Sequence, residues 1–552
     1  MAAEDIVRIT SDMLEGDGVK GIIRRLFSES SLKIAEENDD HVTVRCTLGN
    51  SDRPQTYDLV LDRFKPDPEN PDKISFAYLD QCDIGSLKNM LKGNPDIDAA
   101  YCYFDGKLDY SHMLFRNVSF KASIFREDVD FMGATFEKKA DFGGTTFKGD
   151  ADFGGTTFKG DVCFGGTTFK RDADFGSTLV TYVGFRRSMF GGYANFRRSV
   201  FEGNATFNGT LFKEDVDFMG TTFEKKADFG GTTFEGDVDF GGTTAGTYDD
   251  FWRTMFKGDA AFNGSVFKRK ANFTEAVFRG GADFGGTVFE RKASFARTAF
   301  RAAAVFARSA FRKDVYFHDS TFSGKTSFSR SEAKRISFEG VIFESVVDLN
   351  WKDFESVNIL GTVFRSHVSI DWNARGVEGS ILKKLEEVSD KGADLKEKYK
   401  NICKEFIILK EKYRSQGEYE FEDGAYVAFK RMERKTLGPS DYALSWFEDG
   451  IGKYGTSPKR VAIWMPIIVI CFGLIYSAIG VWWPNHFAVN GNAISVISES
   501  FYTSGIIFIT IGFSSDMHII ETLPKVLVVT EGFIGLFMMA YFTICFSRKV
   551  LR

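Results

Sequence analysis

Histidine is scarce in this chain, six in 552 residues, and the six lie far apart in sequence. No Ser/His/Asp, Cys/His or phosphate-cradling pattern accompanies them, so an enzyme is not expected. Cysteine is nearly as thin. Cys46, Cys82, Cys102, Cys163, Cys403, Cys471 and Cys545 show neither paired nor metal-ligand spacing, which suits a reducing compartment and points to no metal site. Basic charge is not in excess either. With a net charge of −6 there is no stripe to neutralise phosphates, and nucleic acid is not an expected partner. The opening residues MAAEDIVRIT lack the apolar core of a signal peptide. No span is rich in arginine, so voltage sensing by a charged helix is not expected.

What the chain has is phenylalanine, 59 residues, most of the excess in one region. The rings stand at 131, 136, 142, 147, 153, 158, 164, 169 and 175, then at 207, 212, 218, 223, 229, 234 and 240, and onward through 328. The spacing alternates five and six, an eleven-residue period typified by ADFGGTTFKGD. Eleven is also the period of a right-handed α-helical coiled coil. Yet Gly143-Gly144, Gly154-Gly155 and Gly165-Gly166 recur once per period, and each pair would cost a helix about 2 kcal/mol. A flat strand fails as well, because positions five apart point to opposite faces. The chain must therefore turn a corner between rings, and repeated corners with an inward ring make a solenoid whose coils stack about 4.8 Å apart.

This stretch resembles the pentapeptide-repeat family, on Ala140-Asp141-Phe142, Ala151-Asp152-Phe153 and a small residue two before each ring (Ala140, Thr145, Ala151, Thr156, Val162, Thr167). The resemblance implies a right-handed, four-sided β-helix over residues 111–372, with about eleven or twelve coils of about 22 residues and a rod of roughly 55 Å. The six-residue steps are expected to bulge at alternate corners. Irregular turns are expected near Thr178 to Phe185 and Glu332 to Phe343, where the rhythm slips to five-five. Outside the core, Lys, Arg, Asp and Glu alternate with no sign dominant, which argues against the DNA mimicry that some proteins of this family achieve with an acidic face. A spacer or assembly scaffold is one expected role, a surface for a cytoplasmic protein or ligand the other.

Flanking segments differ in kind. Residues 1–110 read as a small α+β unit. Alternation in His41 to Leu48 and Thr56 to Leu61, with Gly49-Asn50-Ser51-Asp52 between, suggests a hairpin, and helices are expected near Ile6 to Met13 and Ser86 to Leu91. Residues 377–455 read as a helical connector. Leu382, Leu385, Val388, Leu395, Tyr399, Ile402, Phe406, Leu409 and Tyr413 recur at three and four, Gly417 breaks the pattern, and a second helix follows over Phe421 to Arg434. Ser440 to Phe447 reads as a short interfacial helix with Trp446 at headgroup level.

Residues 456–552 hold two long apolar runs. Val461 to Trp483 carries no charge over twenty-three residues, roughly 34 Å of helix against a hydrocarbon core of about 30 Å. The second, residues 523–548, has only Lys525 and Glu531 within its apolar part. Between them, residues 494–516 are too short to span. A short helix that stops at depth exposes carbonyls, which a membrane tolerates only where they line protein or water, so a re-entrant loop is expected.

The residues SFYTSGIIFITIGF resemble the pore helix and filter of the two-helix potassium-channel pore domain. That resemblance implies a filter at Thr510, Ile511, Gly512 and Phe513, whose carbonyls would replace the water shell of a permeant monovalent cation, potassium first. The family's second glycine falls on Ser514, and its aspartate on Ser515 unless Asp516, at the outer mouth, serves one place late. A pore that passes sodium as well as potassium is therefore the competing expectation, and a non-conducting membrane scaffold the rival from another class. Gly532 and Gly535 fall where the family's inner helix bends, Gly535 being the closer match, and Glu531 is expected to bond behind the pore helix of its own or a neighbouring subunit. One loop cannot ring an ion, so a homotetramer in a lipid bilayer is implied. Lys459, Arg460, Arg548, Lys549 and Arg552 flank the spans, while Pro484 to Pro524 holds no Lys or Arg. By the positive-inside rule the protein is expected in the cell membrane with both termini cytoplasmic. No cofactor is expected.

Overall fold

The computed structural model describes residues 30–37, 41–48, 56–62, 78–79, 97–98, 103–104, 107–246, 249–349, 351–372, 376–386, 393–482, 487–488, 493–509, 518–519 and 522–551. They fall in two compact units, Met1–Lys383 and Lys384–Arg552. In the first, strands β1 (Ser30–Glu37), β2 (His41–Leu48) and β3 (Thr56–Asp62) pair antiparallel. The expected hairpin is the β2–β3 pair, with His41 opposite Asp62 and Thr47 opposite Thr56. The helices expected before and after it lie outside the described residues.

The repeat winds into a β-solenoid of about twelve turns. Two of its sheets hold thirteen strands each and a third holds twenty, every pairing parallel and one coil apart. The first rungs are Ile97–Asp98 and Tyr103–Phe104 and the last is Val368–Ser369, so the coils begin before residue 111.

Each residue of ADFGGTTFKGD has a place. Ala151 and its equivalents point inward and are buried, leaving room for the rings. Asp152 Oδ1 accepts from the amide of Gly154 at 2.7 Å, closing the turn that follows. Gly155 has φ of 64°, a left-handed corner that suits a residue without Cβ. The buried hydroxyl of Thr156 donates to the carbonyl of Phe131 in the coil before, at 2.8 Å. At the six-residue step, Asp150 N donates to Asp128 Oδ1 and Asp237 N to Asp215 Oδ1, at 3.0 and 2.8 Å, so this aspartate staples one coil to the next.

The rings fill the centre. Along a column they stack in parallel: Phe147 lies 4.9 Å from Phe169 with planes 3° apart. Between columns they meet edge to face, as Phe153 meets Phe164 at 5.4 Å and 83°. Both arrangements suit the ring quadrupole and contribute about 1 kcal/mol per pair beyond burial. One column is phenylalanine at every rung from Phe104 to Phe364.

Two expectations change here. The stretches with five-five spacing are straight rather than irregular: Leu179–Gly184 and Glu332–Ser337 run as unbroken strands through a corner that elsewhere bulges, pairing with the seven-residue strands Thr157–Cys163 and Ala310–Tyr316. The surface charges, mixed in sequence, are sorted in space. A repeat in coil register puts like residues in columns, so Asp128, Asp150, Asp172, Asp215, Asp237 and Asp259 share one edge, with Lys148, Lys170, Lys213 and Lys257 two residues before. The aspartates are held by the amide staples, and Asp128 also pairs with Lys107 at 3.5 Å.

At the far end, α1 (Val377–Leu382) belongs to this unit rather than to the connector. Its Ser380 hydroxyl accepts from the indole of the buried Trp351 at 2.7 Å.

One coil breaks the pattern. Ala245 stands where its column has Phe223 before and Phe267 after, and Asp249 stands between Ala227 and Ala271. Asp249 is 1 % exposed and neither carboxyl oxygen completes a hydrogen bond. Burial pushes its pKa up to about 8, offset slightly by the nearby amide of Ala227. Between about pH 4 and pH 8 the folded chain holds a proton here that the unfolded chain has released, so stability falls by about 1.4 kcal/mol per pH unit across that window. Asp249→Ala should therefore raise the melting temperature of the solenoid at pH 8 and give little gain at pH 4; an equal gain at both pH values would show that the carboxyl is not protonated in the fold.

Candidate functional site

The second unit is helical. Helices α2 (Ala393–Gln416) and α3 (Tyr419–Arg434) form a hairpin at Gly417, whose φ is 77°. The expected stripe packs inward, with Ile402, Phe406, Leu409 and Tyr413 all buried. Helix α4 (Pro439–Gly452) keeps Leu444, Trp446 and Phe447 exposed and is tied to α3 by Asp449, which accepts from Arg431 at 3.0 and 3.1 Å.

Three helices then form the candidate site: α5 (Pro458–Trp482), α6 (Ala493–Phe508) and α7 (Thr522–Val550). Two are long and apolar enough to cross a bilayer, Pro458–Trp482 and Lys525–Val550. Only 17 % and 22 % of their most apolar stretches are buried within the chain, whereas a core helix of a water-soluble fold is mostly buried. Ile463, Leu474, Val529 and Phe533 all lie more than half exposed.

The short helix α6 lies against both long ones. The strands on either side of it, Phe487–Ala488 and His518–Ile519, pair antiparallel. The excursion therefore starts and finishes at one end of the helical pair, where α5 stops and α7 begins. From there α6 descends. Gly480 of α5 lies under Val496, Gly473 under the ring of Phe501, and the carbonyl oxygen of Val469 lies 3.0 Å from Ser504 Oγ. On α7, Ile507 packs with Val528 and the Phe508 carbonyl lies on Gly535. Val469 and Gly535 are each about thirteen residues in from that end of their helices, roughly 20 Å. The short helix stops halfway down.

Glu531 fixes it there. It is fully buried, and its two carboxyl oxygens accept from Tyr476 of α5, at 2.6 Å, and from Ser504 of α6. One side chain thus bridges all three helices in a single chain. Tyr476 and Ser504 were not singled out by sequence; a hydroxyl on an otherwise apolar face, opposite the one carboxylate of the second span, was the available signal. Gly532 and Gly535 lie in an unbroken α7. Thr510, Ile511, Gly512, Phe513, Ser514 and Asp516 lie outside the described residues, directly after the end of α6.

The far end of α7 is held by the hairpin. Arg548 donates to Asp423 of α3 at 2.9 Å and lies over the ring of Tyr426, 4.8 Å from its centre.

A β-solenoid followed by a helical unit with two helices fit to span a membrane is the class these observations define. A family model described as pentapeptide repeats, nine copies, matches the chain in six overlapping or adjacent segments, residues 99–146, 133–179, 185–233, 251–299, 262–310 and 306–350. The solenoid is thus built of pentapeptide repeats, and the matches leave out 234–250, around the coil of Ala245 and Asp249. No curated protein and no solved structure matches the chain.

Two neighbouring glycines separate packing from hinging. A Cβ at 535 would enter the van der Waals envelope of the Phe508 carbonyl oxygen, while one at 532 would sit 3.8 Å from Ile507. Gly535→Ala should cost about 1–3 kcal/mol of stability in detergent and Gly532→Ala nearly nothing; equal melting temperatures for the two variants would refute this packing.

Proposed function

We propose that this protein is a cation channel of the potassium-channel type, a homotetramer in the cell membrane that conducts through the carbonyls of Thr510 to Phe513. The observation that carries the reading is the halfway stop of α6. A helix that ends at mid-depth between two spans, with both flanks on one side, leaves the next residues to line something polar, and those residues read Thr-Ile-Gly-Phe. The partial negative charge of a helix C-terminus at that depth favours a cation. Glu531 supports the same reading in a structural role, since it anchors the short helix rather than facing a permeant ion.

By the charges flanking the spans, both chain ends are cytoplasmic and the loop opens outward. The solenoid then stands in the cytoplasm as a rigid scaffold. Conduction requires no catalytic residue, and the reading is not that of an enzyme. The contact of Arg548 with Asp423 and Tyr426 gives the cytoplasmic helices a direct hold on the inner end of α7, the route by which a cytosolic cue would reach the pore.

Flux from potassium-loaded liposomes tests this. The purified wild-type protein should release potassium down its gradient, with sodium competing measurably, and Ser514→Gly should raise the preference for potassium. Absence of flux or current from the reconstituted protein under every condition would leave a membrane-tethered scaffold instead.

A further inference from the structure

A groove of about 530 Å³ runs between α4, α5 and α7. Trp446 and Gly450 of α4, Trp464 and Ile468 of α5, and Phe533 and Phe537 of α7 are among its walls. The lining offers no polar surface, and Phe533 and Trp446 at its walls are 73 % and 63 % exposed. The indole of Trp464 donates to the carbonyl of Gly450 at 3.2 Å, which holds α4 against α5.

One end of the groove is charged. Arg460 lies one helical turn before Trp464, so positions 460, 464, 467 and 471 form a single stripe along α5, of which the last three line the groove. The Arg460 guanidinium reaches the carbonyl of Asp449 at 3.5 Å, beside Gly450, and remains exposed. Lys459 next to it is exposed as well. The carboxylate of the same Asp449 is already engaged by Arg431 and Arg434 at 3.0 and 3.4 Å. An apolar slot as long as a turn or two of helix, opening between helices fit to lie in lipid and headed by an uncompensated cation, matches an amphiphile with one apolar tail and an anionic head.

We infer that this groove seats an acyl chain of an anionic phospholipid of the cytoplasmic leaflet, with Arg460 and Lys459 at its headgroup. The inference rests on α5 and α7 lying in a bilayer and not on conduction. A basic residue near the surface favours an anionic lipid by about fivefold. Occupancy would hold the interfacial helix α4 against the two spans, and Trp446 of α4 and Trp464 of α5 would sit against the tail.

Those tryptophans also report the outcome. The full-length protein is reconstituted in phosphatidylcholine vesicles containing either dibrominated phosphatidylglycerol or dibrominated phosphatidylcholine at the same fraction, and tryptophan quenching is compared after vesicle flotation. The brominated anionic lipid should quench at about fivefold lower fraction than the zwitterionic one. Arg460→Gln together with Lys459→Gln should remove most of that difference, to about twofold or less. A Cβ at Gly450 meets nothing within 4 Å, so Gly450→Leu can fill the slot without disturbing the fold, and it should remove the extra quenching by the anionic lipid. Equal quenching by the two lipids in the wild type, or quenching unchanged in Gly450→Leu, overturns the inference. Protein that floats with the vesicles yet is not quenched at all also overturns it and gives the groove to a second copy of the chain. Protein that does not float overturns the membrane placement itself, while potassium flux is scored separately and neither rescues nor sinks the lipid site.

Discussion

The first unit depends on one constraint: a coil of this solenoid has no core of its own and can bury its rings only on the coil before and the coil after. Phe147 is covered by Phe125 and Phe169, at 4.9 Å on each side, and the same holds at every inner rung of its column. Stability is therefore nearly a sum of identical interfaces, and it tolerates single lapses. Val180, Ala245 and Ala333 each leave out a ring from one column, and the neighbouring columns carry through. The family matches break at two such places, 180–184 around the single lapse at Val180 and 234–250 around Ala245 and Asp249.

Much of this was legible from the sequence, because a period writes itself many times over. Gly-Gly once in eleven residues rules out a helix, and spacing of five and six rules out a flat strand; together they leave only corners. Reading the chain linearly hid two things. Charges that alternate along the sequence separate when every twenty-second residue is placed one above another, and the aspartates of the six-residue steps turned out to be hydrogen-bond acceptors for the next coil. The isolated Asp249 was hidden for the opposite reason: a single substitution has no period to betray it, and its burial follows only from the register.

In the second unit, hydropathy was enough to place the two long helices and the short one, since length and the absence of charge are local properties. Depth is not local. That α6 ends beside Val469 and Gly535 depends on which residues of three helices touch, and Gly473, Gly480 and Gly535 permit that approach by having no side chain there. Glu531 was visible as an oddity, but its partners Tyr476 and Ser504 lie 55 and 27 positions away. A buried carboxylate with both oxygens satisfied is far less costly than one left bare, and the contrast with Asp249 shows the same group under the two conditions.

The aspartate staples all point the same way, each amide reaching back to the coil before it. A molecule assembled by such one-directional links can gain or lose a complete coil without altering any link that remains, and a missing residue, as at Leu179–Gly184, is absorbed within its own coil, the staple resuming between the amide of Tyr193 and Asp172 at 2.8 Å. The length of the rod is therefore quantised: it can be altered only in whole increments, each about 4.8 Å along its axis.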